Sequence, residues 1–122
     1  MKKILIAATF FVLPLTSVNA MDVATFLAKS EVAQRKGIAA MFSSEARSLF
    51  SEVQTAFKEL KAERLAAEAA GRRPAYCPAG KPGITQKELL AGFRAVPPAE
   101  RSRVQVKDAM RNTLARKHPC AG

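Results

Sequence analysis

Apolar residues return every three or four positions along most of this chain, in groups separated by glycine or proline. In "MDVATFLAKSEVAQRKG" the residues Val23, Phe26 and Leu27 lie one helical turn apart, and Asp22 stands where an N-cap belongs. Arg35 and Lys36 fill the last turn and Gly37 stops the run, which predicts a first helix. After the link "IAAMF", Ser43 or Ser44 opens a second helix with apolar positions Leu49, Phe50, Val53, Phe57 and Leu60. It continues through "KELKAERLAAEAA" to Gly71, about 27 residues and near 40 Å long, with Glu59, Glu63 and Glu68 set among Lys58, Lys61 and Arg64. Its last two turns are mostly alanine, with Leu65 the one large apolar residue, and are expected to project beyond the core.

"GRRPAYCPAGKPG" holds Gly71, Pro74, Pro78, Gly80, Pro82 and Gly83 and reads as a loop. Thr85 and Glu88 then form a capping box ahead of Leu89, Leu90 and Phe93, which predicts a third helix. "VPPAE" breaks the chain, and a fourth helix is expected from about Ala99 to Lys117, with Val106, Ala109, Met110 and Leu114 facing inward. "HPC" ends it. Phe26, Phe42, Phe50, Phe57 and Phe93, with Met41 and Met110, are assigned to the core. Strand alternation is almost absent and no repeat with a period of about 20–50 residues occurs. The expected fold is all-α, a small bundle of about four helices with one long helix.

The first twenty residues read differently. Lys2 and Lys3 precede the apolar run Ile4 to Leu15, and Val18 to Ala20 place small residues at a cleavage site, the pattern of a secretory signal peptide over residues 1–20 cut after Ala20. The run is shorter than the ~20 residues a bilayer demands, so no transmembrane segment is expected after processing. Met21 stands where a lipoprotein would carry cysteine. Residues 21–122 are then a single helical domain, exported to a bacterial periplasm.

That compartment bears on the two cysteines. In an oxidising environment Cys77 and Cys120 of a small domain are expected to pair, a free pair of thiols being the alternative. The bridge would close a long loop and contribute on the order of 4 kcal/mol in the chain-entropy account. A metal site calls for three or four N/S ligands and only His118 could join the cysteines. Neither C-x-x-C nor C-x-x-C-H occurs, a cysteine nucleophile would lack a well-placed base, and no Gly-rich phosphate loop, H-E-x-x-H or Ser/His/Asp set can be assembled. No catalytic residue, metal or cofactor is expected. His118 reads as a partner of a helix C-terminus, and the glutamates of the second helix as a solvated stripe alternating with cations.

The formal charge of +10 is unevenly spread. Residues 21–70 carry seven basic and seven acidic side chains, whereas residues 71–122 carry eleven against three, a net of +8. Arg72, Arg73 and Lys81 flank Cys77, while Arg94, Arg101, Arg103, Lys107, Arg111, Arg116 and Lys117 lie on the third and fourth helices or between them. Two readings stay open: a solvated face that keeps the chain soluble, or a surface complementary to an acidic partner. Nucleic acid is not expected, because export removes it from reach and only Tyr76 and Phe93 offer rings for stacking. The candidate partner-binding residues are Arg72, Arg73, Tyr76, Lys81, Arg101, Arg111 and Lys117. Tyr76 is either a binding anchor or a ring packed over the cysteine pair.

"YCPAGKPGITQKELLAGFRAVPPAERSRVQVKDAMRNTLARKHPC" resembles the signature half of the Rap/Tai family of bacterial type VI secretion immunity proteins. The matching residues are Cys77-Pro78, Gly83-Ile84-Thr85 followed by Glu88-Leu89-Leu90, then Pro97-Pro98, Ala109, Leu114 and His118-Pro119-Cys120. The match is confined to the C-terminal half, and the N-terminal half has none of the further cysteines such proteins usually carry. The resemblance implies a small exported helical protein that binds and inhibits an effector such as a cell-wall amidase; the basic half adds the expectation of an acidic protein effector as partner, and a homodimer is the other partner considered. The alternative is an envelope-associated basic helical protein that meets anionic lipid or lipopolysaccharide.

Overall fold

Asp22 begins the first helix as its position predicts, its carboxylate accepting the Thr25 N–H at 2.8 Å and the Thr25 hydroxyl at 2.9 Å. The structure, a computed structural model, describes residues 20–81 and 83–121, so the expected signal segment lies outside the described residues except for Ala20. α1 spans Val23–Lys36 and stops at Gly37, whose φ of 58° is open to glycine and strained for other residues. The link "IAAMF" is a 3-10 helix over Gly37–Phe42. Ser43 accepts the Ala46 N–H at 3.2 Å and caps α2, Ser44–Ala69. Thr85 and Glu88 complete their capping box, with bonds of 2.8 and 3.1 Å, at the start of α3, Gln86–Arg94.

The fourth helix, α4, spans Val106–Lys117 and not Ala99 onward. The segment before it is held in turns by other bonds. The Arg101 guanidinium donates to the Val96 and Arg94 carbonyls, both at 2.9 Å, and the Glu100 N–H reaches Pro97 O at 2.8 Å. Gln105 forms an isolated antiparallel bridge with Asp22, while Val23 N–H donates to Val104 O and Val106 N–H to Met21 O, each at 2.9 Å. These bonds commit the backbone of residues 101–105 to the N-terminus of α1, which leaves no helical ladder for it to join.

All described elements are helices and no strand is present among the described residues, so the fold is an all-α bundle stapled by one disulfide. Lys29–Ser48 and Lys36–Glu45 contacts run α1 antiparallel to α2. Glu59–Lys107 and Glu63–Arg111 set α4 parallel to α2, and Glu88–Lys117 sets α3 antiparallel to α4. Val23, Phe26, Leu60, Phe93, Val106, Met110 and Leu114 are buried at the centre. The Phe26 and Phe93 rings meet edge to face at 4.8 Å, the arrangement the ring quadrupole favours.

Three residues assigned to the core lie outside it: Met41, Phe42 and Phe50 are exposed. Ile38, Met41 and Phe42 of the 3-10 link stay exposed to solvent, although α1 packs along the same end of α2 through Lys29–Ser48 and Lys36–Glu45. Phe57 is half-buried against the core, and Phe26, Phe93 and Met110 are in it. The C-terminal turns of α2 do not project. The following loop folds back on them, Arg72 N–H donating to Ala67 O at 2.8 Å and Tyr76 burying its ring beneath Arg64, whose guanidinium carbon is 5.7 Å from the ring centroid. Leu65 stays outside this contact.

α3 and α4 approach closely because Gly92 has no side chain. A Cβ built there overlaps the hydroxyl and methyl of Thr113, whose hydroxyl already donates to Ala109 O at 2.7 Å. Gly92→Ala is expected to lower stability by about 1–3 kcal/mol despite its better helix propensity, because the core must overpack. Chemical denaturation measures this, and adding Thr113→Ala should recover part of the loss; a Gly92→Ala protein as stable as wild type would contradict the close packing.

Candidate functional site

The loop between α2 and α3 has little regular structure, and its position comes from the C-terminus. Cys77 and Cys120 are joined by a disulfide with their Cα atoms 4.8 Å apart, which closes the alternative of free thiols. Around that bond the Cys77 N–H donates to His118 O at 2.8 Å and the Arg73 guanidinium donates to Cys120 O at 2.7 Å. His118 ends α4, its own N–H reaching Leu114 O at 2.7 Å, and its Nε2 lies 3.4 Å from Gly83 O. The chain is thus gathered at two points of the loop, one on each side of the proline-rich stretch.

The structure divides the candidate partner-binding residues. Tyr76 is 2 % exposed, packed near Leu60 and under Arg64, so its ring is not available to a partner. Arg101 spends its guanidinium on the C-terminal carbonyls of α3. Arg111 forks onto Glu63 of α2 at 2.9 and 3.2 Å and also reaches Asp108 at 2.7 Å. Burial opposes the charge on Arg111, but its bonds to Asp108 and Glu63 outweigh it and raise the pKa of the guanidinium. Lys107 joins the same cluster through Glu59 at 3.2 Å, which chiefly raises its pKa, and through Glu63 at 3.4 Å. Lys117 bonds Glu88 at 2.7 Å.

Arg72 and Lys81 are the remaining predicted residues, both exposed, with no ion pair among the described residues. Arg73 is tied to Cys120 and belongs to the loop's anchoring. Lys87, Arg94, Arg103 and Arg116 are also exposed without an ion pair among the described residues. The partners missed from sequence are Glu59 and Glu63. Their spacing of four matches that of Lys107 and Arg111 on α4, the one signal that could have aligned the two helices.

Glu88 has two tasks. Its carboxylate accepts the Lys117 ammonium and the Thr85 N–H, and these bonds, with Lys117 the largest influence, lower its pKa to about 2. Among the described residues no cluster of three or more His, Cys, Asp or Glu side chains is placed to hold a metal ion. No described helix is long and apolar enough to cross a membrane. Comparison with family models, with curated proteins and with solved structures finds no match to this chain.

Cys77→Ala and Cys120→Ala remove one and the same constraint. Each is expected to lower stability alike, by up to about 4 kcal/mol in the chain-entropy account, when unfolding is followed by circular dichroism. Unequal losses would mean that one cysteine has a second role.

The Glu88 carboxylate predicts a pH effect of defined sign. Its folded pKa lies below the ordinary 4.5, so its contribution is present above about pH 4.5 and is lost as pH falls toward 2. Glu88→Gln should flatten the decline of stability across that acid window, while a decline identical to wild type would show that other carboxylates set it.

Proposed function

We propose that the chain is an exported, non-enzymatic binding protein of the immunity type, whose disulfide-held loop and basic half occlude an acidic effector enzyme such as a cell-wall amidase. The observation that carries this reading is the position of Arg72. It stands exposed beside a loop fixed by Cys77–Cys120 and by the Arg73 bond to Cys120. A loop held by a rigid scaffold loses little entropy on binding and is where recognition residues concentrate. Arginine, with its planar fork, is suited to a partner carboxylate.

Two further observations support the reading. Three of the elements in the Cys-Pro to Pro-Cys resemblance lie together: the loop, the Thr85-capped start of α3 and the end of α4, joined by Cys77–Cys120 and by the Lys117 bond to Glu88. A disulfide is at home in an oxidising compartment, and together with the absence of a membrane-crossing helix among the described residues it is compatible with an exported protein. Processing after Ala20 would free the Met21 amine, whose nitrogen lies 3.3 Å from a Glu52 carboxylate oxygen. An ammonium there would form an ion pair with Glu52 where the uncut chain has a bond from an uncharged amide.

The contact surface in this reading is Arg72 and Lys81, with Lys87, Arg94, Arg103 and Arg116 steering encounter. Mature protein is to be mixed with an amidase encoded by an adjacent reading frame and the loss of amidase activity titrated. Arg72→Ala should weaken inhibition by about 2 kcal/mol or more at unchanged thermal stability, as a buried charged contact does. Arg73→Ala should lower stability instead, because it releases Cys120. Absence of inhibition, together with binding to anionic vesicles that weakens evenly as any exposed cation is removed, would replace this reading with the envelope-associated one.

A further inference from the structure

Met21 stands where α1, α2 and α4 meet. Its carbonyl accepts the Val106 N–H at 2.9 Å, the first amide of α4. Gln105 at the N-cap of that helix supplies no side-chain bond, so the main chain of Met21 takes the place of a cap. The exchange is reciprocal, because Val23 and Ala24 at the start of α1 donate to Val104 O at 2.9 Å and to Arg101 O at 3.1 Å. The Met21 nitrogen in turn lies 3.3 Å from Oε1 of Glu52 on α2. Met21 and Glu52 are both half-buried, and Met21 packs against the core. Glu52 makes no salt bridge with a side chain among the described residues.

In the uncut chain the Met21 nitrogen is an uncharged amide, and a half-buried carboxylate is left without a cation. We propose that cleavage before Met21 is a covalent switch that completes the fold: the new ammonium pairs with Glu52 and clamps the starts of α1 and α4 to α2. The inference rests on the export reading given above. In the step itself an export peptidase adds water across the Ala20–Met21 amide, the hydroxyl going to the Ala20 carbonyl carbon and the proton to the Met21 nitrogen. The acid so formed gives up a proton and the amine takes one up, which leaves a carboxylate on the leader and an ammonium on Met21. Ala20 is exposed, so the bond to be cut lies at the surface.

Two features set this pair apart from the ion pairs elsewhere in the fold. Those join the tips of two long side chains, whose lost freedom offsets much of the attraction. The α-nitrogen sits on a main chain already held by the Val106 bond, so Glu52 alone has rotamers to lose. A bond between an ionised donor and an ionised acceptor is also roughly twice as strong as one between neutral groups. The effect reaches α4, because the carbonyl that receives its first amide belongs to the same residue as the new charge. The other end of α4 leads into Cys120 and its bond to Cys77. The precursor is therefore the looser form, and the processed chain is the one in which α4 is clamped at both ends.

The test compares processed protein, recovered after export of the full chain, with the same protein acetylated on its α-amine. Acetylation at about pH 7 in denaturant is selective, since the free α-amine has a pKa of ~7.7–8.0 against ~10.4 for lysine. The acetylated chain keeps every side chain and the Met21 carbonyl and loses only the charge. It is expected to lose about fivefold in the folding equilibrium, which in a domain of this size lowers Tm by about 4–8 °C. Hydrogen exchange at the Val106 N–H should quicken by a similar factor. In a Glu52→Gln chain, which keeps an uncharged acceptor, acetylation should cost almost nothing. The proposal is overturned if free and acetylated chains melt together, or if acetylation costs as much with Gln at position 52 as with Glu. Those melting results stand whether or not the protein inhibits an amidase, whereas an exported chain whose mass retains residues 1–20 would overturn this inference and the export reading together.

Discussion

The covalent bond between Cys77 and Cys120 is the constraint on which the C-terminal half depends. The described residues between Gly71 and Thr85 form no helix or strand, and fixing each such residue costs about 1–2 kcal/mol of backbone entropy. The bond reduces that cost by confining the loop in the unfolded chain as well. Once Cys77 is held at the end of α4, Tyr76 is carried to the flank of α2 beside Leu60, and Arg64 closes over it. Arg73 then reaches Cys120 O, and the Cys77 N–H meets His118 O. α4 is tied at its other end too, where Gln105 bridges to Asp22. The N-terminal cap of α1 and the loop after α2 thereby grip opposite ends of the same helix.

The parallel alignment of α2 and α4 determines what the basic residues do. Glu59 and Glu63 form a stripe one helical turn long, and Lys107 and Arg111 form its counterpart, so two of the eleven C-terminal cations are neutralised in place. Lys117 is paired in the same manner with Glu88, and Arg101 serves the carbonyls of α3. Ion pairs with this much solvent access contribute about 0–1 kcal/mol apiece, so they fix helix register more than they hold the fold. The high formal charge therefore overstates the charge open to a partner. What remains exposed is a smaller set: Arg72 and Lys81 on the loop, with Lys87, Arg94, Arg103 and Arg116 on or near α3 and α4.

Features decided by neighbours in sequence were legible, and those decided across the fold were not. Asp22, Ser43 and the Thr85–Glu88 box cap their helices because a cap needs only residues three apart. The pairing of Cys77 with Cys120 was legible because the chain holds two cysteines and the expected compartment favours their oxidation. The start of α4 was misplaced because residues 101–105 bond to the N-terminus of α1 and to α3, contacts far away in sequence. Phe42 and Met41 read as core because an apolar residue at a turn looks the same whether it points in or out. Gly92 gave no sign of its role, since the need for a missing Cβ arises only when Thr113 lies against it. Of the candidate site, Arg72 and Lys81 kept the exposure expected of them, while Tyr76, Arg101, Arg111 and Lys117 are engaged within the fold.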